Sequence, residues 1–248
     1  MTDIKNDYLL DKKIKMFQSD EGYKTSSDAV LVSSLIHKIK NTDNILDVGS
    51  GTGGISLCLA HRFEKAQIIG FEIQEQLVEL ANKSAKANSF QNLKYLIHDI
   101  GSKKAPLPYG SFNHVITNPP YTKNGSKSPN KSKALAHNQE NLTLEQWLKF
   151  CLKMLKPYGF LYLIHRADAL DEILSALHSK AGNINLIPVY SKENQEAKRI
   201  MVKAQKDSKA PLKILPPLVI HQNGGYTSQA EQILRGGKSF FEIDNSET

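Results

Sequence analysis

From Asn44 onward, short apolar runs rich in β-branched residues alternate with stretches whose apolar positions recur every three or four residues. This rhythm predicts βαβ units around a mainly parallel sheet. Strands are predicted at Asn44–Val48, Gln67–Glu72, 93–98, 114–117 and 160–165, and helices at Gly54–Arg62, 75–88, 143–155 and 168–180. Lys156, Pro157, Tyr158 and Gly159 are expected to end the third of those helices and turn the chain into the fifth strand. Two later apolar runs, 186–190 and 199–204, are separated by a polar stretch too short for a crossover helix, so they should form an antiparallel pair at the end of the sheet. The fold class that follows is α/β, a seven-stranded, mainly parallel sheet with a terminal antiparallel hairpin.

The flanking regions are less periodic. Residues 1–40 are expected to form a segment that closes over a ligand, with an apolar helix at 29–39 capped near Ser27. Residues 41–209 make the sheet domain, and 210–248 an extension packed on it. Pro211, Pro216, Pro217, Gly224 and Gly225 predict irregular structure in that extension. Residues 123–133 carry four lysines and no acid, and read as a loop.

Composition narrows the class. With 248 residues and 40% hydrophobic content, the chain can bury a full α/β core within one domain. A formal charge of +7 and a pI near 9.2 favour a polyanionic partner. Cys58 and Cys151 lie inside apolar helical stretches, without metal or redox spacing, and should be buried thiols. The histidines show no metal spacing, so no metal is expected, and His98 and His114 read as structural. The charged start of the chain lacks a signal-peptide core, and no apolar run approaches membrane-spanning length, so a cytoplasmic protein is expected. A monomer is the favoured state.

The candidate chemistry gathers at the carboxyl ends of the predicted strands. After the first comes Asp47-Val48-Gly49-Ser50-Gly51-Thr52-Gly53-Gly54, whose glycines allow a tight turn and close approach by a ligand. Its spacing also satisfies a dinucleotide fingerprint. An acid before the turn suits a cationic amino-acid end better than a pyrophosphate. Glu72 ends the second strand, where it can accept from both ribose hydroxyls, and Asp99 follows the third, where it can accept from an adenine amino group between Ile73 and Ile100. After the fourth strand come Asn118, Pro119, Pro120 and Tyr121. The prolines hold the backbone extended and out of the ladder. The Asn118 side-chain oxygen and the Pro119 carbonyl can then accept both hydrogens of one amino group, and Tyr121 offers a face for stacking. Each acid alone reads as a solvated strand end; together with the tetrapeptide they line one cleft.

On these residues the chain resembles the class I amino-methyltransferases, which share the acid with its glycine turn, the ribose acid and the Asn-Pro-Pro-Tyr signature. More closely, residues 22–31, Ala136-His137-Asn138-Gln139-Glu140, Ile164-His165-Arg166-Ala167-Asp168 and Ile233-Leu234-Arg235-Gly236-Gly237 are similar to the bacterial tRNA1(Val) adenine-N6 methyltransferases. The resemblance implies a class I Rossmann-like fold and S-adenosyl-L-methionine as cofactor, held by Lys24, Thr25, Asp28, Asp47, Gly49, Gly51, Gly53, Glu72, Ile73, Asp99, Ile100 and Asn118. It implies a tRNA anticodon stem-loop as partner, methylated on the adenine 3′ of the anticodon. On such a substrate Tyr121 is expected to stack on the base, Lys123 and Lys127 to contact RNA because they follow the tetrapeptide, and Arg166, at the end of the fifth strand near the cleft, to meet phosphate. An Arg166–Asp168 salt bridge is an equal expectation for that arginine. Rival readings are an N5-glutamine protein methyltransferase, an rRNA or DNA amino-methyltransferase, and a noncatalytic RNA-binding protein on the same fold.

Overall fold

The structure, a computed structural model, describes residues 4–19, 26–121 and 142–243. Lys24, Thr25, Lys123, Lys127 and the 136–140 segment lie outside the described residues.

In chain order the sheet domain runs β3 (Asn44–Val48), α2 (Gly54–Arg62), β4 (Gln67–Glu72), α3 (Glu75–Ala87), β5 (Leu93–Ile97), β6 (Phe112–Thr117), α4 (Leu144–Met154), β7 (Leu155–Arg166), α5 (Leu170–Leu177), β8 (Ala181–Lys192) and β9 (Ala197–Lys206). Before it lie β1 (Ile4–Leu9), β2 (Ile14–Ser19) and α1 (Ser27–Ser33), and after it β10 (Lys213–Ile214), β11 (Leu218–Gln222), β12 (Gly225–Tyr226) and α6 (Ser228–Leu234). The main sheet has ten strands in the order β12-β11-β8-β9-β7-β6-β3-β4-β5, with β10 also on β8. Strands β5, β4, β3, β6 and β7 are mutually parallel, and β9 runs antiparallel between β7 and β8.

The central strands read as almost unbroken apolar runs because both faces are covered. Ile45, Ile116, Tyr162 and Ile164 point into one core with α1, α2 and α3, whereas Leu46, Val115, Leu161 and Leu163 point into the other with α4 and α5. Chain connections leave β3 toward β4 on one side, while β6 pairs with β3 on the other. The strand order reverses there, and ligands of open α/β sheets bind outside the carboxyl ends at such a point.

Several expectations need correction. The hairpin β8–β9 forms, but it does not end the sheet: β10 and β11 pair parallel with β8, and β12 returns beside β11. The extension expected to be irregular therefore enlarges the seven-stranded sheet. Its three prolines fall between or before strands rather than within them, where no ladder donor is needed. Strand β7 begins at Leu155, directly after α4, with Tyr158 at φ 60° and a register shift opposite Phe112 and His114. The first helix is capped by Ser26 and stops at Ser33, and the 168–180 helix begins as a 3₁₀ turn at Ala167–Ala169. Residues 4–19 form a separate hairpin that docks on α3: Ser84 Oγ accepts from Phe17 N at 2.9 Å, and Asn88 Oδ1 from Lys15 N at 2.9 Å.

Candidate active site

The turn after β3 is built by side chains from neighbouring elements. Gly49, Gly51 and Gly53 have φ of 73°, 55° and 90°, in the left-handed region that favours glycine. A Cβ on Gly49 would lie 2.7 Å from Trp147 Cζ2. Trp147 on α4 donates Nε1–H to Thr117 Oγ1 at 2.9 Å, and Thr117 donates to the Val48 carbonyl at 2.8 Å, which ties α4, β6 and β3 beneath the turn. A Cβ on Gly53 would lie 2.2 Å from the buried Tyr95 hydroxyl. Gly51 differs, because its missing Cβ faces open space. Of these three glycines, Gly51 is placed to admit a ligand, and the other two admit packing partners.

Glu72 closes β4, 4% exposed, and supports that turn. Its Oε2 accepts from Gly51 N at 2.9 Å and its Oε1 from Gln74 N at 2.9 Å. The Ile73 backbone and the Gln74 side chain also favour the carboxylate, and its position at the end of β4 beside the turn suits the vicinal hydroxyls of a ribose. Burial raises its pKa, and the backbone donors pull it back. Asp47 is fully buried. Its Oδ2 accepts from the Ser56 hydroxyl on α2, and its Oδ1 has no hydrogen-bond partner among the described residues; neither does the buried Ser50 Oγ. Open space over Gly51, an anchored Glu72 and a buried carboxylate oxygen in want of a donor fit a cationic, ribose-bearing cofactor. Asp99 is half-buried after β5, with Oδ1 accepting from Gly101 N at 2.8 Å, while Ile100 is buried and Ile73 partly so.

Burial pushes the Asp47 carboxyl up to about 7. In the unfolded chain an aspartate titrates at about 3.9. Between those values the folded protein keeps a proton that the unfolded chain has lost, so this group's contribution to stability is complete below about pH 4 and is lost as pH rises to about 7. Asp47→Asn should remove that slope. Urea midpoints taken from pH 5 to 8 should show the variant gaining on the wild type by a few kcal/mol at most. A constant gap would mean that Asp47 does not titrate in this window.

Asn118 follows β6, half-buried, with its Oδ1 shielded from solvent; Pro119 is buried and Pro120 exposed. Tyr121 comes next, 36% exposed. Its hydroxyl donates to Asp28 Oδ2 at 2.9 Å, and Arg199 Nε donates to the same oxygen at 3.0 Å. The Arg199 guanidinium carbon lies 5.0 Å from the Tyr121 ring centroid, and the His165 ring meets that ring edge-on at 5.0 Å. Burial, aided by Arg166 and Arg199, lowers the His165 pKa to about 4, so the imidazole is neutral near pH 7. Arg166 is held by Asp168, with Nε to Oδ1 at 2.8 Å and a second contact from the guanidinium to Oδ2.

The structure thus brings Asp28 to Tyr121, and Glu72 to the glycine turn. His98 packs edge-on against Phe71 at 5.0 Å, and His114 Nε2 sits 3.3 Å from Asp43 Oδ2; both rings are buried. Sequence reading missed Arg199, Trp147 and Tyr95. Among the described residues no cluster of three or more metal-ligating side chains occurs, and no helix is long and apolar enough to cross a membrane.

Comparison with known proteins follows the same line. A family model described as a methyltransferase domain matches residues 39–205. A Porphyromonas gingivalis protein named tRNA1(Val) (adenine(37)-N6)-methyltransferase is 31% identical over 74% of this chain and 74% of its own length. A protein of that name from a Shewanella species is 28% identical over 92% of this chain and 97% of its own. Among solved structures, one described as a predicted O-methyltransferase from Agrobacterium tumefaciens superposes with a TM-score of 0.72 at 27% identity, covering 86% of this chain and 97% of that one.

Proposed function

Since the chain belongs to the tRNA1(Val) (adenine(37)-N6)-methyltransferase family, we propose that it transfers a methyl group from S-adenosylmethionine to the N6 nitrogen of a tRNA adenine, the one immediately 3′ of the anticodon, in the cytoplasm and as a monomer. The observation that carries this reading is the placement of Asn118-Pro119-Pro120-Tyr121 at the carboxyl end of β6, next to β3 and its glycine turn.

The cofactor supplies an electrophilic methyl carbon on a sulfonium sulfur. Glu72 would hold its ribose hydroxyls, Gly51 would let the backbone approach it, and Asp47 would counter its cationic end. A positive group near Asp47 lowers that carboxyl's pKa, so cofactor affinity should rise with pH through about 7, the value set by burial.

The nucleophile is a poor one because its lone pair is delocalised into the purine ring. Acceptors at Asn118 Oδ1 and the Pro119 carbonyl would take its two N–H groups and turn the lone pair out of conjugation. Those N–H groups become stronger donors as the nitrogen grows tetrahedral and cationic, so the pair favours the transition state over the ground state. No strong base is required, because the proton left on a quaternised nitrogen is acidic and passes to water. Tyr121 would hold the splayed base by stacking, and positioning supplies the rest. A valine tRNA transcript should accept methyl groups, and replacing the adenine 3′ of its anticodon with guanine should abolish acceptance. Undiminished methylation of the substituted transcript would move the target elsewhere.

A further inference from the structure

The tyrosine assigned to the base is itself gripped by residues from remote parts of the chain. Asp28 comes from α1, Arg199 from β9 and His165 from the end of β7. Register places Arg199 directly opposite Arg166 and Ile200 opposite His165, so the strand pairing delivers the guanidinium to the cleft edge. One Asp28 oxygen then receives two donors, the Tyr121 hydroxyl at 2.9 Å and Arg199 Nε at 3.0 Å. The guanidinium also lies over the Tyr121 ring at 5.0 Å. This is a closed arrangement: phenol to carboxylate, carboxylate to guanidinium, guanidinium to ring.

An unanchored tyrosine after two prolines would sample several χ1 states, and a base stacking on it would bear the entropy of choosing one. Here the hydroxyl and one face are both fixed. The Asp28 and Arg199 side chains are 12% and 32% exposed, so their pairing is less screened than a surface ion pair. Arginine suits the position because its planar fork can stack and donate at once, which an ammonium cannot do.

We propose that Arg199 and Asp28 form a clasp that sets the Tyr121 ring in the orientation on which the target adenine stacks, which makes both of them positioning residues for the substrate base. The inference rests on the adenine-methylation reading. It assigns Asp28 to the tyrosine rather than to the cofactor, and it gives Arg199 a part in substrate selection through Tyr121 rather than through a phosphate.

A double-mutant cycle tests it. Wild type, Arg199→Ala, Tyr121→Ala and the double variant are compared for kcat and KM on the valine tRNA transcript, for cofactor Kd by equilibrium dialysis, and for melting midpoint. Arg199→Ala should lower kcat/KM for RNA about tenfold, the scale of a partly shielded cation–π and hydrogen-bonded anchor, while cofactor Kd stays within about twofold. In the Tyr121→Ala background the same substitution should have almost no further effect. Arg199→Lys should recover little, and Asp28→Asn should mimic Arg199→Ala, which also covers an Arg199→Ala protein that does not fold. A full tenfold loss persisting without Tyr121 would show that Arg199 meets the RNA itself and would overturn the clasp. Loss of cofactor affinity in Asp28→Asn would overturn it as well, by returning the pair to the cofactor site. A wild-type protein that forms no N6-methyladenosine would sink the parent reading, whereas an active wild type with additive variants would sink the clasp alone.

Discussion

Asn118→Ala is expected to lower turnover by about 10²- to 10³-fold, the cost of deleting one preorganised partner of a developing charge, and to leave cofactor affinity nearly intact. Asn118 is half-buried and its side-chain oxygen is shielded from solvent, so the group is held rather than free to be replaced by water. In the proposed cradle alanine would leave the Pro119 carbonyl as the remaining acceptor, and with one acceptor the amino group could stay conjugated and planar. The loss belongs in kcat more than in KM, because the interaction strengthens only as the nitrogen pyramidalises. Single-turnover methylation with saturating RNA, paired with cofactor Kd, reads both quantities. A fully active Asn118→Ala enzyme would mean that the tetrapeptide does not cradle the amine.

Gly53→Ala should cost stability before it costs chemistry. At φ 90° an alanine is strained, and its Cβ would stand 2.2 Å from the Tyr95 hydroxyl and 2.8 Å from Tyr95 Cζ. The ring has little room to yield, since it is 5% exposed and already lies close against Gly70, where a Cβ would stand 2.4 Å from Tyr95 Cδ1. Left-handed strain of about 1–2 kcal/mol plus overpacking of about 1–3 kcal/mol predicts a melting midpoint lower by about 5–15 °C. Gly51→Ala is the contrast. At φ 55° it carries the same left-handed strain of about 1–2 kcal/mol, but its Cβ meets nothing within 4 Å, so without the overpacking it should melt only about 2–8 °C lower while cofactor affinity falls. Tyr95→Phe should recover part of the Gly53→Ala loss by removing the nearest clashing atom. Equal melting points for the two glycine variants would contradict the division of roles in this turn.

That division shows where sequence reading reached its limit. The strands Asn44–Val48 and Gln67–Glu72 and the helix Gly54–Arg62 were legible to the residue, because buried parallel strands and the turn between strand and helix leave strong local patterns. The glycine turn was legible as a motif. The separate duties of Gly49, Gly51 and Gly53 were not, since Trp147 and Tyr95, which two of them admit, come from distant strands and helices. Asp28 was singled out, yet its partner Arg199 stands 171 residues away and is delivered by β-sheet register, which composition does not reveal. The C-terminal strands were missed for a different reason. Proline spacing suggested irregularity, although Asn223 and Gly224, both at positive φ, are a two-residue hairpin turn directly after the strand Leu218–Gln222, which opens on Leu218, Val219 and Ile220. Local turn chemistry carried that signal and was outweighed by the prolines around it.

The central claim is adenine N6-methylation of tRNA, and one measurement bears on it most directly. Purified protein is incubated with labelled S-adenosylmethionine and undermodified total tRNA, with total protein in a parallel tube, and the RNA is digested for nucleoside mass analysis. The account predicts label in tRNA that resolves as N6-methyladenosine. Label confined to protein, or to no fraction at all, would contradict it.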